Sequence, residues 1–85
     1  SHMYYVYALL SLRNGDLYAG FSGNLKARIK AHFDKAVHTT KRMDKIRLIF
    51  YEAYLSEKDA KRREKYFKTT KGKRTLKIML EDSLK

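Results

Sequence analysis

The sequence predicts an α+β domain in which a small three-stranded antiparallel sheet is flanked by three helices, in the order β-β-α-β-α-α. Two apolar-rich runs on either side of Asn14-Gly15 indicate a hairpin, and residues 46–54 form a third such run. Apolar residues at helical spacing indicate one helix after the hairpin and two more after the third strand. A hairpin and a further strand combined with separate helices are typical of α+β architecture.

Length and composition limit the class of protein. The 85 residues suffice for one domain, and no proline, internal repeat or Gly/Ser-rich linker divides them. No apolar run approaches the ~20 residues of a membrane span. We interpret residues 1–3 as the remnant of an expression tag and residues 4–85 as a single domain. The absence of cysteine excludes disulfides and thiolate metal sites, which fits a cytoplasmic protein.

A tight hairpin is predicted at the start of the domain. Its first strand spans residues 4–12 and its second about 16–21, and the pair Asn14-Gly15 is a strong signal for a two-residue turn between them. In the register that this turn sets, Leu9 faces Gly20.

The alternation of side chains sorts the hairpin into two faces. Tyr7, Tyr18 and Gly20 share the more polar face, and Gly20 has no side chain to fill the space beside the two phenols. The opposite face is apolar and carries Val6, Ala8, Leu10, Leu12, Leu17, Ala19 and Phe21.

The first helix is predicted to present two chemically useful side chains. Ser22 or Asn24 can cap it, and it runs to about Lys35. Arg28 and His32 are four residues apart and therefore project from one side. Beside them lies an apolar stripe at core spacing, formed by Leu25, Ile29 and Phe33.

The second half of the chain contains one strand and two helices. A basic loop over residues 36–45, which includes His38, leads to the strand Ile46–Tyr54, and its apolar character on both faces predicts a central position in the sheet. Ser56 opens the next helix in a capping-box pattern, and we expect that helix to end near Thr69–Gly72. A last amphipathic helix is indicated by Leu76, Met79, Leu80 and Leu84.

One carboxylate lies on a helix face that should meet the core. Ala60, Glu64 and Phe67 have the spacing of a single helical stripe. A carboxylate at the edge of a core is costly unless it is paired or binds a cation. Glu64 is therefore either one half of an ion pair with Arg28 or Lys68, or a ligand of Mg²⁺, which takes only one or two protein carboxylates.

The charge balance points to an anionic partner. The formal net charge is +11, and the densest basic block is Lys61–Arg74. Such a chain is attracted to phosphate backbones, because each phosphate that it neutralises releases counterions. Charge alone does not choose among DNA, RNA and anionic lipid, and solvated helix faces are the alternative explanation.

Five short motifs together resemble the GIY-YIG nuclease domain. They are Tyr5-Val6-Tyr7, Tyr18-Ala19-Gly20, Arg28, His32 and Glu64 within KRREKYFK. The spacings also resemble the family pattern, with 11 positions between the two motif tyrosines, 10 more to the arginine and 4 more to the histidine. The resemblance covers nearly the whole chain after residue 3 and is closest to the small single-domain bacterial type.

The resemblance implies a metal-dependent endonuclease that hydrolyses phosphodiester bonds in DNA and acts in DNA repair. Because the 85 residues hold no second domain that would read sequence, we expect it to select DNA structure rather than sequence. In that scheme Tyr7 would be the general base for the attacking water, and Tyr18 would position water and phosphate. Arg28 would bind the scissile phosphate, and His32 would hold the phenol ready. Glu64 would hold one Mg²⁺ or Mn²⁺, which stabilises the leaving oxygen. Arg28 or the metal would have to lower the pKa of the phenol.

The same scheme implies a nucleic-acid surface. His38 matches a further histidine of some family members. A protein partner for targeting is compatible with the scheme, and the sequence leaves the oligomeric state open. The residues that would contact nucleic acid are Arg28, Lys61, Arg62, Lys65, Lys68, Lys71, Lys73 and Arg74.

The sequence departs from the family pattern in three places. The first motif reads Val6-Tyr7-Ala8, and Ala19 separates the tyrosine and glycine of the second. No asparagine follows Glu64, where many members have a late polar residue, and Thr69 or Thr70 is the nearest replacement. Two alternatives therefore stay open, a catalytically weak or inactive basic nucleic-acid-binding module of the same fold, and an interaction protein that docks a partner through its last helix.

Overall fold

The computed structural model describes residues 2–34 and 45–85, and within these ranges it has the predicted element order. The α+β prediction is confirmed, with three antiparallel strands in one sheet and three helices. Residues 36–44 of the predicted basic loop, which include His38, lie outside the described residues. The elements are β1 (Tyr4–Ser11), β2 (Leu17–Ser22), α1 (Leu25–Phe33), β3 (Ile46–Tyr54), α2 (Glu57–Phe67) and α3 (Thr70–Met79).

The strand order is β2-β1-β3, so β1 is the central strand. The prediction that β3 is central was wrong. Four consecutive residues of β1, Val6 to Leu9, are buried, because side chains on both of its faces are covered. In β3, by contrast, Arg47, Tyr51 and Ala53 are exposed, as expected of a strand at the edge of a sheet.

The hairpin register differs from the predicted one by two residues. Gly20 pairs with Tyr7 and not with Leu9, because the connection is longer than a two-residue turn. The N–H of Ser11 donates to the carbonyl of Asp16 at 2.9 Å, and the N–H of Gly15 donates back to the carbonyl of Ser11 at 2.8 Å. Since a shift by an even number keeps every side chain on its face, the predicted faces are unchanged.

The apolar face of the hairpin forms the main core, as predicted. The buried cluster joins this face to α2 and α3 and consists of Val6, Ala8, Ala19, Ala60, Phe67, Leu76 and Leu80. Leu17, Phe21 and Leu84 are partly buried and pack against this cluster. Leu12 follows the end of β1 and is 52% exposed, and Met79 is 43% exposed.

Helix boundaries follow capping side chains. The hydroxyl of Ser56 accepts a hydrogen bond from the N–H of Asp59, as the capping pattern predicted. The helix that follows ends at Phe67 rather than near residue 70, because the side chain of Thr69 accepts from the N–H of Gly72 and begins α3 there.

Helix α1 packs on the other face of the sheet through a polar side chain. Asn24 caps it, accepting from the N–H of Ala27 at 3.1 Å. His32 is its buried residue, whereas Phe33 is 53% exposed. The predicted apolar stripe was therefore wrong for Phe33, because α1 is rotated so that His32 meets the sheet. Within the described ranges, no helix has the length and apolar character needed to cross a membrane.

Candidate active site

The phenol of Tyr7 lies at the centre of the site, in space that Gly20 leaves open. The side chain of Tyr7 is buried, and its backbone pairs directly with Gly20 on β2. A Cβ atom at Gly20 would overlap the phenol ring and its hydroxyl. The glycine therefore gives the ring its place against β2, and Tyr7 itself fills the space that the sequence predicted beside the phenols.

Two side chains of α1 hold the hydroxyl of Tyr7. Its Oη lies 2.7 Å from Nε2 of His32, in a buried contact. The Nε of Arg28 donates to the same oxygen at 3.4 Å. Because Arg28 can only donate, the phenol oxygen accepts from it, and the phenol can donate its own proton to Nε2 of His32 when the imidazole carries its proton on Nδ1.

The pKa shift of His32 is consistent with a hydrogen bond donated by Tyr7 to its Nε2. Burial lowers the pKa of His32 from its ordinary value of 6.5, and the positive charge of Arg28 lowers it further. The imidazole is therefore neutral at neutral pH, and its Nε2 can accept the proton of the phenol.

Arg28 lowers the pKa of Tyr7, but not enough to bring it below the ordinary value. Burial raises this pKa above 10.0 and outweighs the hydrogen bond and the charge of Arg28. Tyr18 and Glu64 raise it further. Tyr7 is thus a protonated phenol at neutral pH, because removal of its proton would leave a charge in a buried position.

Tyr18 and Glu64 lie beside the pair formed by Tyr7 and His32. The Tyr18 ring meets the His32 ring edge to face, with centroids 6.1 Å apart. The Nζ of Lys68 lies 5.8 Å from the centroid of the Tyr18 ring and 3.0 Å from Oε2 of Glu64. Of the partners that the sequence left open for Glu64, the structure shows Lys68. Tyr7, Tyr18, Arg28, His32 and Glu64 therefore meet in one region.

The donor set fits a hard divalent cation held by a single carboxylate. Among the residues that the structure describes, no group of three or more His, Cys, Asp and Glu side chains is placed to hold a metal. The side chain of Glu64 is 24% exposed, so water and a phosphate can reach it. Mg²⁺ commonly keeps most of its waters and takes one or two carboxylates, with a substrate phosphate completing the shell. The half-exposed ion pair with Lys68 contributes about 0–1 kcal/mol and is a weak competitor.

The predicted nucleic-acid residues divide into two groups. Lys61 and Arg62 pair with Glu57 and Asp59 on the outer side of α2. Lys65, Lys71 and Arg74 are also exposed. Only Lys68 and Lys73 line a groove beside Tyr18, and they share it with Lys77, which the sequence reasoning missed. The available signal was the four-residue spacing of Lys73 and Lys77 around the buried Leu76.

The two threonines that could replace the late asparagine differ in their surroundings. The Thr69 hydroxyl donates to the carbonyl of Tyr66 at 2.7 Å and accepts from the N–H of Gly72 at 3.0 Å. Its hydroxyl is thus occupied in capping α3. Thr70 is exposed at the first position of α3.

Comparison with known proteins identifies one family across most of the chain. The model of the GIY-YIG catalytic domain matches residues 3–77. A UPF0213 protein of Bacillus licheniformis is 38% identical over 69 residues, covering 80% of this chain and 68% of that protein. A UPF0213 protein of Clostridium perfringens is 31% identical over 84 residues, covering 98% and 89%. The solution NMR structure of a UPF0213 protein from Bacillus halodurans superposes with a TM-score of 0.57 at 29% identity, covering 91% of this chain and 84% of that one.

Substitution of Gly20 by alanine should destabilise the protein through Tyr7. The added methyl group must displace the phenol ring, and overpacking of this kind typically costs about 1–3 kcal/mol. We expect the free energy of unfolding, measured by urea titration with circular dichroism, to fall by that amount. In a Tyr7→Ala background the same change should cost little, because the ring is gone. Equal costs in the two backgrounds would contradict the packing argument.

His32 should make stability depend on pH. Because its pKa is lower in the folded than in the unfolded protein, the unfolded state binds the proton more readily as the pH falls below about 6.5. The contribution is therefore fully present above that pH and is lost as the pH falls toward the folded pKa. Urea titrations from pH 7.5 downward should show this loss in the wild type and a smaller one in His32→Gln. Identical pH profiles would rule out the assigned burial of a neutral imidazole.

Proposed function

Because the chain belongs to the GIY-YIG catalytic domain family, a family of nucleases, we propose that it is a metal-dependent endonuclease that hydrolyses phosphodiester bonds in DNA. The observation that carries this proposal is the buried Tyr7 phenol, held between His32 and Arg28. A DNA substrate, a divalent metal ion, a role in DNA repair and a cytoplasmic location are all parts of the proposal.

The first chemical step is a proton relay through Tyr7. Since the phenol is protonated at neutral pH, it cannot simply take a proton from water. In the proposed step the attacking water gives a proton to Oη of Tyr7 as the phenol proton passes to Nε2 of His32. The water oxygen forms the new bond to phosphorus, and the bond from phosphorus to the leaving oxygen breaks. The 2.7 Å contact supports this transfer, because it provides a direct path for the proton.

Arg28 is assigned to the phosphate. Its Nε is used by Tyr7, so its terminal nitrogens are the donors for the non-bridging oxygens. A guanidinium grips phosphate at two points and offsets the charge that grows in the transition state. Tyr18 is assigned to the position of the phosphate and water, because it adjoins both His32 and Lys68.

Glu64 is the residue that would hold Mg²⁺ or Mn²⁺. When bound, the ion would supply positive charge that stabilises the leaving oxygen. Lys68 must then release the carboxylate, and its ammonium becomes available to a phosphate. Selectivity for DNA structure rather than sequence is supported by the lysines around the site, since lysine contacts to phosphates carry no sequence information.

A catalytically weak or inactive nucleic-acid-binding module is the second candidate. It is favoured by the Glu64–Lys68 ion pair, which neutralises the carboxylate, and by the Thr69 hydroxyl, which is occupied in a helix cap. The two candidates share binding and differ in metal-dependent cleavage.

Glu64→Gln should abolish cleavage and spare binding. The amide keeps the shape of the side chain but loses the charge that holds a divalent ion. Purified wild type and variant are compared on supercoiled and branched DNA with Mg²⁺, with Mn²⁺ and with chelator. Cleavage by the wild type alone, and only with metal, supports the nuclease. Binding without cleavage under every metal condition would establish the second candidate, and equal cleavage by both proteins would indicate a contaminating enzyme.

Arg28→Lys should lower the cleavage rate by about 10²–10³-fold, the usual cost of removing one donor to a developing negative charge. A lysine keeps the charge but lacks the planar pair of donors and the Nε that reaches Tyr7. Single-turnover rates and thermal unfolding are measured together, with Lys26→Ala as an exposed cation on the same helix. A folded Arg28→Lys protein that cleaves at the wild-type rate would remove Arg28 from the mechanism.

A further inference from the structure

A groove runs away from the candidate active site, between the hairpin connection and α3. Tyr18 and Lys68 lie at its active-site end, so the two regions are continuous. The polar side chains of the rest of the groove are Asn14, Asp16, Lys73 and Lys77, and the half-buried Leu17 of β2 contributes apolar surface.

Two lysines of the groove, Lys73 and Lys77, carry charge that the described residues do not neutralise. Lys73 and Lys77 are exposed, one helical turn apart, on either side of the buried Leu76. Neither forms an ion pair within residues 2–34 and 45–85, in contrast to Lys61 and Arg62 on α2. Asp16 is the acidic residue of the groove lining, against three lysines.

We propose that this groove binds one strand of DNA and leads it to the scissile position beside Tyr18. The inference rests on the proposed function, which makes the strand DNA, and adds the path by which it reaches the site. Lys73 and Lys77 bind successive phosphates, because a row of side chains along one helix face matches the backbone of a single strand. The half-buried Leu17 provides an apolar surface for the sugars.

Two exposed lysines away from the groove offer a matched control. Lys26 lies on α1 and Lys58 on α2, and neither lines the groove. A Lys73→Gln/Lys77→Gln double variant and a Lys26→Gln/Lys58→Gln double variant therefore lose the same charge. A bulk effect of charge weakens both variants equally, and a strand in the groove weakens only the first.

The experiment measures binding without cleavage. A fluorescein-labelled single-stranded DNA of about 16 nucleotides, the upper range of common single-strand site sizes, is titrated with each full-length protein in chelator. Anisotropy is followed across a series of salt concentrations, with an RNA of the same sequence in parallel. Circular dichroism melts establish that the variants are folded.

The groove variant should bind about 10- to 25-fold more weakly at about 0.1 M salt, because each lost single-strand phosphate contact removes about 0.7 from the salt slope. The slope should flatten by about 1.4. The control variant should stay within about twofold of the wild type. Equal losses of affinity in the two variants, or no loss in the groove variant, would show that the strand does not follow the groove. Tighter binding of the RNA would show that the ligand is not DNA.

The experiments distinguish a failure of the strand-path proposal from a failure of the nuclease proposal. Metal-dependent, Glu64-dependent cleavage by a wild type whose binding ignores Lys73 and Lys77 would reject the strand path and keep the enzyme. A wild type that binds and shows groove dependence but never cleaves would keep the path and reject the catalytic proposal. A wild type that neither binds nor cleaves would reject both.

Discussion

The buried hydrogen bond between Tyr7 and His32 is the constraint on which the site depends. His32 is the buried side chain of α1, so the contact that orients the phenol also attaches the helix to the sheet. Loss of either partner would remove this buried hydrogen bond, and such a loss typically costs about 0.5–1.5 kcal/mol. Arg28 lies one turn earlier on α1, and fixing His32 therefore fixes the guanidinium over the same oxygen. Gly20 completes the arrangement by leaving the ring its place.

Sequence reasoning identified the faces of the hairpin more securely than its register. Tyr7 and Tyr18 could be assigned to one face because strand side chains alternate with a period of two, and the even shift in pairing left that assignment intact. The register itself depends on the conformation of the connection. Asn14-Gly15 indicates a two-residue turn when taken alone, but here it lies within a longer one, closed by Ser11 and Asp16. Local propensity could not reveal this, because the pairing of the whole sheet decides between such turns.

The sequence predicted which candidate residues lie together, but it did not predict their pKa shifts or the residues around them. Spacing and resemblance brought Arg28, His32 and Glu64 together in the prediction. Neither spacing nor resemblance indicated that Tyr7 is buried. Its burial raises the pKa of the phenol by more than the charge of Arg28 lowers it. Strand order and the rotation of α1 were also inaccessible, because both follow from packing between distant elements. Lys77 was missed for a related reason, because it lines a groove that forms only when α3 packs beside the hairpin.

The polar attachment of α1 has a further consequence. A helix held by one buried imidazole and half-buried neighbours belongs to the parts of a fold that open locally, at a lower free energy than global unfolding. Each opening would carry Arg28 and His32 away from Tyr7 together, so the fraction of molecules with an assembled site equals the fraction with α1 closed. Amide exchange rates in this helix therefore report what fraction of the protein has an assembled site at any moment, and an anionic ligand that bridges Arg28 to the sheet would raise that fraction by binding.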